Sequence, residues 1–349
     1  MKIMLVHNYY QEYGGEDAVV YSEMSLLRMQ GHKVELFALD NDDINSLGKK
    51  VKTWLWASYS KTSRHRLRAQ IFRLCPDVVH VHNFFPLLTP SVYDAAYDAN
   101  VPVIQTLHNF RTICPGAFLM HKGKICEKCL TSSAYRSILY GCYRDSRLGT
   151  LAVAHMVQTH RNRQTWRKKV DRFIVLTNFC KNKFVKSRFP AEKIAIKPNF
   201  VARPHLRFDY FLSRNTAPLG SALFVGRMSH EKGVLTLIKA WKCLDIPLRI
   251  VGEGSLLEKV KASAFYPISV LGGKTPAHVK LELENAAFLI VPSECYESFG
   301  MVLVEAFAHG CPAVVSRLGS LAEIVEDGIT GLHFESANAE DLAQKVKWM

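Results

Sequence analysis

Short apolar, β-branched runs alternate with longer stretches of helical periodicity along the 349 residues. Runs of this kind fit strands buried on both faces and joined by crossover helices, the pattern of parallel sheets. In the first part of the chain they are Lys2–Val6, Val34–Leu39, Val78–Val81, Val101–Thr106 and Phe173–Leu176. In the second they are Ala222–Val225, Leu248–Val251, Ile268–Leu271, Phe288–Val291 and Ala313–Val315. Helical patterns fit Ala18–Met29, closed by Gly31, and then Lys232–Lys242, Thr275–Asn285 and Met301–His309. The stretch from Lys197 to Leu219 breaks this rhythm with Pro198, Pro204 and Pro218. The chain therefore reads as two doubly wound α/β domains, one over 1–197 and one over 220–349, with a linker at 198–219. No apolar run approaches the ~20 residues of a membrane-spanning helix. Met1 to Asn8 reads as a buried first strand, too quickly polar for a secretory leader.

Composition narrows the class. At 48% hydrophobic and 22% charged residues, the chain is globular rather than disordered. Charge is lopsided: of 45 basic and 31 acidic residues, positions 1–200 hold 30 and 15, and the remainder 15 and 16. The excess concentrates in two stretches. Lys49–Arg73 interleaves cations with Trp54, Leu55, Trp56 and Tyr59, and Arg161–Arg188 is densely basic. Aromatics beside cations suit an anionic membrane surface; a solvated basic face is the plain alternative. Nucleic acid is not favoured, because no recognised binding motif accompanies the charge.

Candidate chemistry concentrates in the second domain. Gly226-Arg227-Met228-Ser229-His230-Glu231-Lys232-Gly233 follows a strand and precedes a helical pattern. A tight glycine turn, backbone N–H groups at a helix start and two cations suit a diphosphate. Further on, Glu297 lies in a loop and Glu305 eight residues later on a helix, with Ser298, Phe299 and Gly300 at that helix's start. Paired carboxylates at this spacing can accept hydroxyl hydrogens from two ends of one extended ligand. In the first domain, Gly14-Gly15 precedes a helix, and His108 follows the strand Val101–Thr106. Strand C-termini are where open α/β sheets bind ligands.

Taken together, these stretches resemble the family 4 retaining glycosyltransferases, of the GT-B fold: two Rossmann-like domains facing across a cleft. The likeness also rests on Ile250-Val251-Gly252-Glu253-Gly254, Val270-Leu271-Gly272, Gly310-Cys311-Pro312 and Glu323-Ile324-Val325. It implies that Arg227 and Lys232 hold the donor diphosphate and that Glu305 takes the ribose. Glu297 would contact the transferred sugar, helped by the backbone of Ser298, Phe299, Gly300 and Met301. Gly226, Gly272, Lys274 and Glu253 would surround the phosphates and base. Gly14 and Gly15 would close over the phosphates, and His108 would contact the sugar, with Arg111 nearby and His82 at the cleft edge. The implied reaction moves a sugar from a nucleotide-sugar to a hydroxyl of a lipid-linked or polysaccharide acceptor, with anomeric configuration retained, in cell-surface glycan or lipopolysaccharide synthesis. Two cations and N–H donors stabilise the leaving diphosphate, so no metal cofactor is required for catalysis. The other reading is a catalytically silent or truncated nucleotide-sugar-binding protein associated with a membrane. The expected location is cytoplasmic, peripheral on the inner face of the cell membrane. The resembling enzymes continue past the point where Lys347-Trp348-Met349 ends this chain, so the second domain reads as truncated or differently closed.

Nine cysteines in this setting are expected to be reduced. Four of them, Cys114, Cys126, Cys129 and Cys142, sit in an insert at about 112–145 that includes the knuckle Cys126-Glu127-Lys128-Cys129. A structural zinc site, a disulfide or redox use, and plain burial all remain open on sequence, since a single C-x2-C pair is incomplete as a zinc signature.

Overall fold

The computed structural model describes residues 1–11, 14–202 and 220–349. They form two compact units, Met1–His121 with Cys126–Asn199, and Phe200–Met349 with Lys122–Ile125. The linker expected at 198–219 falls mostly on 203–219, outside the described residues.

The first unit is built on β1 (Lys2–Tyr9), β2 (Lys33–Asp40), β3 (Val78–Val81), β4 (Val103–Thr106), β7 (Arg172–Val175) and β8 (Ile194–Ile196); the short strands β5 (Met120–His121) and β6 (Lys124–Ile125) lie in the insert. The six form one parallel sheet in the order β2-β1-β3-β4-β7-β8. The second unit has β9 (Ala222–Val225), β10 (Leu248–Val251), β11 (Ile268–Gly272), β12 (Phe288–Val291), β13 (Ala313–Ser316) and β14 (Gly331–Phe334). These are also all parallel, in the order β11-β10-β9-β12-β13-β14.

Period-2 alternation explains why both faces of the second sheet are dry. Ala222 and Phe224 of β9 join Trp241, Leu237 and Leu342 in one core. Leu223, between them, points the other way and packs with Val251, Leu289, Leu303 and Leu321. A parallel sheet covered by helices on both faces needs such continuous apolar strands. In each sheet the chain winds outward from one strand, then returns to build the other side. The reversals fall between β1 and β3, and between β9 and β12. At such switch points the strand C-termini leave a crevice for ligands.

The helix expected over Lys232–Lys242 is instead broken into a 3₁₀ turn at His230–Lys232, a helix at Val234–Ala240 and a second 3₁₀ turn at Trp241–Cys243. Gly233 causes the first break. Its φ is +69°, and a Cβ there would stand 1.9 Å from the Pro292 carbonyl oxygen. The anion site expected at a regular helix N-terminus is therefore a turn that leads into a helix of seven residues.

Candidate functional site

The loops after β9 and β12 meet across the switch point of the second sheet. Gly226 extends the ladder, donating its N–H to the Val251 carbonyl. Ser229 to Gly233 then curl through the 3₁₀ turn, and Glu294 N–H donates to the Glu231 carbonyl. This link draws the β12 loop onto the β9 loop. Lys232 Nζ reaches Glu297 Oε1 at 2.6 Å, and Ser293 Oγ donates to the same oxygen at 2.7 Å. Burial opposes the charge on Glu297, but the Lys232 ammonium outweighs it and holds the carboxyl below the usual carboxylate range. Burial likewise works against the Lys232 charge, and Glu297 raises it above its ordinary value. Both groups stay ionised. Arg227 lies on the solvent side, 3.3 Å from Glu231.

The other expected residues of the second unit lie on the neighbouring loops and on the helix that follows Gly300. Gly300, at φ +90°, caps the helix Met301–Ala308, and the Ser298 carbonyl accepts from Ser320 Oγ. Phe299 is buried. Glu305 lies on the second turn of that helix, where burial pushes its carboxyl up. Glu253 lies against Gly273, so that a Cβ on that glycine would stand 2.4 Å from Glu253 Oε1. Glu253 thus shares one corner with the neighbouring Gly272 and Lys274.

The first unit gathers its candidates at its own switch point. His108 and Arg111 line a recess of about 330 Å3, counted with its solvent-open part, together with Tyr10, His82, Asn83 and Thr106. His82 Nδ1 and His108 Nε2 are 2.9 Å apart. Burial pushes His82 well below its ordinary value and His108 down to about 3, so both rings are neutral at physiological pH. Arg111 is held by the Pro115 carbonyl and lies over the Phe85 and Tyr143 rings. Gly14 donates its N–H to Asp17 Oδ2, and Asp17 Oδ1 is 2.7 Å from His7 Nε2. The His7 ring stands 6.5 Å from that of His82, so the Gly14-Gly15 turn and His108 belong to one neighbourhood.

Several polar residues here escaped the sequence reading. His80 bonds Thr106 Oγ1 at 2.8 Å and lies 3.2 Å from Glu23 Oε1, while Lys197 Nζ reaches Glu23 Oε2 at 3.1 Å. Burial opposes the Glu23 charge, but His80 and Lys197 together hold its carboxyl down at about 2. Tyr10 donates to Glu16 Oε2 at 3.1 Å, and burial pushes Glu16 up to about 8. The period-2 spacing of His80 and His82 on β3 was a readable signal for one shared face. Asp17, Glu23 and Lys197 are far from β3 in sequence and carried none.

Comparison with known proteins follows the same two-part division. The family described as Glycosyltransferase Family 4 matches residues 13–203, and that described as Glycosyl transferases group 1 matches 219–349. An uncharacterized glycosyltransferase of Methanocaldococcus jannaschii is 38% identical over 136 residues, 38% of each chain. The lipopolysaccharide 1,2-N-acetylglucosaminetransferase of Salmonella typhimurium is 33% identical over 193 residues, 49% of this chain and 50% of that one. The matches span half or less of the length of these curated relatives. Among solved structures, an Anabaena protein crystallised with UDP and glucose aligns with a TM-score of 0.65 at 17% identity, over 100% of this chain and 89% of that one. Sucrose-phosphate synthase of Thermosynechococcus elongatus aligns at 0.69 and 16% identity, over 99% and 89%. At such identities the likeness concerns the fold, and it bears out the GT-B class.

Proposed function

The chain belongs to glycosyltransferase family 4, and from that premise we propose that it is a retaining glycosyltransferase moving a sugar from a nucleotide-sugar to a hydroxyl of a lipid-linked or polysaccharide acceptor in cell-surface glycan synthesis. The observation that carries this reading is the ionised Lys232–Glu297 pair with Ser293 at the switch point of the second sheet. An ammonium and a carboxylate held side by side suit the two ends of the bond that breaks. The cation faces the diphosphate as it gains charge, and the carboxylate accepts hydroxyl hydrogens of the sugar. Arg227 adds a second cation. Glu305, on the next helix, takes the ribose. In the first unit His108 offers a neutral ring to the transferred sugar, and Arg111 is placed for a phosphate or acceptor group.

Glu297 is already engaged by Lys232 and Ser293, which favours an electrostatic role over a nucleophilic one. Retention then follows from front-face attack, with the leaving phosphate accepting the proton of the incoming hydroxyl.

The Anabaena protein has also been crystallised with UDP-glucose, which makes UDP-sugars the first candidates. A nucleotide-sugar that binds the native state should raise its stability by about 2.7 kcal/mol at a hundredfold excess over Kd. Thermal shift across a panel of nucleotide-sugars therefore identifies the donor, and NMR of the product reads its anomeric configuration. Stabilisation without turnover would favour the silent binder. An inverted product, or a glycosyl-enzyme trapped at Glu297, would overturn the front-face mechanism.

Membrane association is part of the same proposal. Among the described residues no helix is long and apolar enough to cross a membrane. The helix Leu47–Trp56 buries none of its residues. Leu47, Val51, Trp54 and Leu55 share one face of it and are all exposed, beside Lys49, Lys50 and Lys52. Trp54 Nε1 donates to the Leu148 carbonyl, and Leu148 is itself 71% exposed. An apolar face left exposed among the described residues and set beside cations fits an anionic lipid surface, where a lipid-linked acceptor resides.

A further inference from the structure

The insert between His108 and the helix Arg147–Asn162 holds four cysteines, none in a disulfide. Cys114 and Cys129 are buried, and Cys126 and Cys142 partly so. They come from three separate segments: a turn, the start of the short helix Lys128–Thr131, and the end of the 3₁₀ turn Ala134–Tyr140. The fold nevertheless gathers them. Cys126 N–H donates to the Leu119 carbonyl at 2.7 Å, and the thiols of Cys114, Cys126 and Cys142 all lie near enough to act electrostatically on that of Cys129. Gly116 permits the closure, because a Cβ there would lie 3.0 Å from the Cys142 carbonyl oxygen and 3.8 Å from Cys114 Sγ. Backbone N–H groups of Leu119, Gly116 and Ala117 also point at the Cys114 sulfur. Such donors are suited to a thiolate rather than a thiol.

The surrounding chain is held in costly conformations. Ala117, Leu119, Lys122, Arg144 and Asp145 all have positive φ, at about 1 kcal/mol or more each. The frame is tied down from outside: Glu127 is paired with Lys183 and Lys186, and Arg161 donates to the carbonyls of Cys129 and Ser132.

We propose that Cys114, Cys126, Cys129 and Cys142 form a structural zinc site that fixes the insert behind Arg111. Four sulfur ligands select zinc over harder cations. Among the described residues, the ligand atoms that come within 4.8 Å of one another as a threesome belong to Glu23, His80 and His82. Those side chains are committed to Thr106, Lys197, His108 and each other. No three of these sulfurs lie within 4.8 Å of one another, against ~3.8 Å between ligands of a tetrahedral ZnS4 centre, so binding draws them inward and releases their protons. Besides Phe85, the groups that hold the Arg111 side chain are Pro115, next to Cys114, and Tyr143, next to Cys142. A metal joining those cysteines clamps both flanks of Arg111 at once. The site thereby serves the recess as well as the insert.

The test is the metal content of the full chain purified without a metal-affinity step. About one zinc per chain is expected, released when a mercurial titrates the thiols. A chelator should lower the thermal midpoint, and added Zn2+ should restore it. Cobalt exchanged into the site should show sulfur-to-metal charge-transfer absorption. Cys126→Ser/Cys129→Ser should retain less than about a tenth of the zinc, whereas Cys75→Ser/Cys243→Ser, at exposed cysteines elsewhere, should keep it all. If the first variant fails to fold, the wild-type measurements still decide. Substoichiometric zinc with a chelator-insensitive midpoint, or stoichiometric iron in its place, would overturn the proposal.

Discussion

His82 and His108 share one hydrogen, and burial decides which ring carries it. The Nε2 of His82 is buried without a partner among the described residues. An orphaned buried N–H costs more than an orphaned acceptor, so Nε2 is bare and Nδ1–H donates to His108 Nε2. His108 therefore carries its own hydrogen on Nδ1, as a donor. Replacing His82 with Ala should cost about 1–3 kcal/mol, because the His108 acceptor is left unpaired. His82→Asn, whose amide N–H can stand where Nδ1–H stood, should recover much of the loss in denaturant unfolding and in kcat/KM. A merely space-filling role would instead be rescued by His82→Leu. The same groups shape stability against pH. His108 falls from 6.5 to about 3 on folding, so the unfolded chain takes up its proton first. That contribution is full above pH 6.5 and fades as pH drops toward 3. Glu16 moves the opposite way, from 4.5 to about 8. Its contribution is full below pH 4.5 and is lost as pH rises through 8. Thermal midpoints should peak between these limits, and Glu16→Gln should flatten the alkaline arm alone.

At the scale of elements, every strand expected in the core of either sheet is present, with its ends moved by a few residues. Continuous β-branched runs bounded by turns made them legible. The edge strands β8 and β14 escaped notice because their runs are only three and four residues long, where the legible edge strands β2 and β11 run to eight and five. The Lys232–Lys242 helix was misread for a different reason. Periodicity carries no information on the backbone of Gly233, which a contact to Pro292 from another loop dictates. The exposed helix Leu47–Trp56 makes its own prediction. Leu47→Glu/Leu55→Glu should abolish sedimentation with anionic vesicles and leave the thermal midpoint within about 0.5 kcal/mol-equivalent of wild type, since both positions are exposed. Raised salt should weaken binding of the parent chain; equal binding to neutral vesicles at any salt would refute an electrostatic contribution.

For the whole molecule, charge and topology divide along the same boundary. The unit holding His108 carries nearly all the positive excess, and the unit holding Lys232 and Glu297 is close to neutral. The motif residues of the second unit were legible because they are close in sequence and each follows a strand. The network of buried His7, Asp17, Glu23 and His80 with half-buried Lys197 was not, because it is assembled from β1, the helix Gly15–Met29, β3 and the residue after β8, and no local spacing announces it. A strand pattern reveals where a crevice opens, but not which distant side chains are drawn beneath it.

If the chain transfers sugar as proposed, the Lys232–Glu297 contact bears on its turnover. A spent nucleoside diphosphate would meet an ammonium already half-neutralised by a carboxylate, with that carboxylate repelling its terminal phosphate. An intact nucleotide-sugar brings hydroxyl groups that satisfy Glu297 instead. The pair would thus discriminate substrate from exhausted donor and hasten the departure of the latter. Glu297→Gln keeps the size and removes the repulsion, so product inhibition by the nucleoside diphosphate should tighten roughly tenfold, or about 1.4 kcal/mol, while affinity for the intact donor falls. Isothermal titration with the two ligands would measure both, and parallel changes in the two affinities would show that Glu297 does not tell them apart.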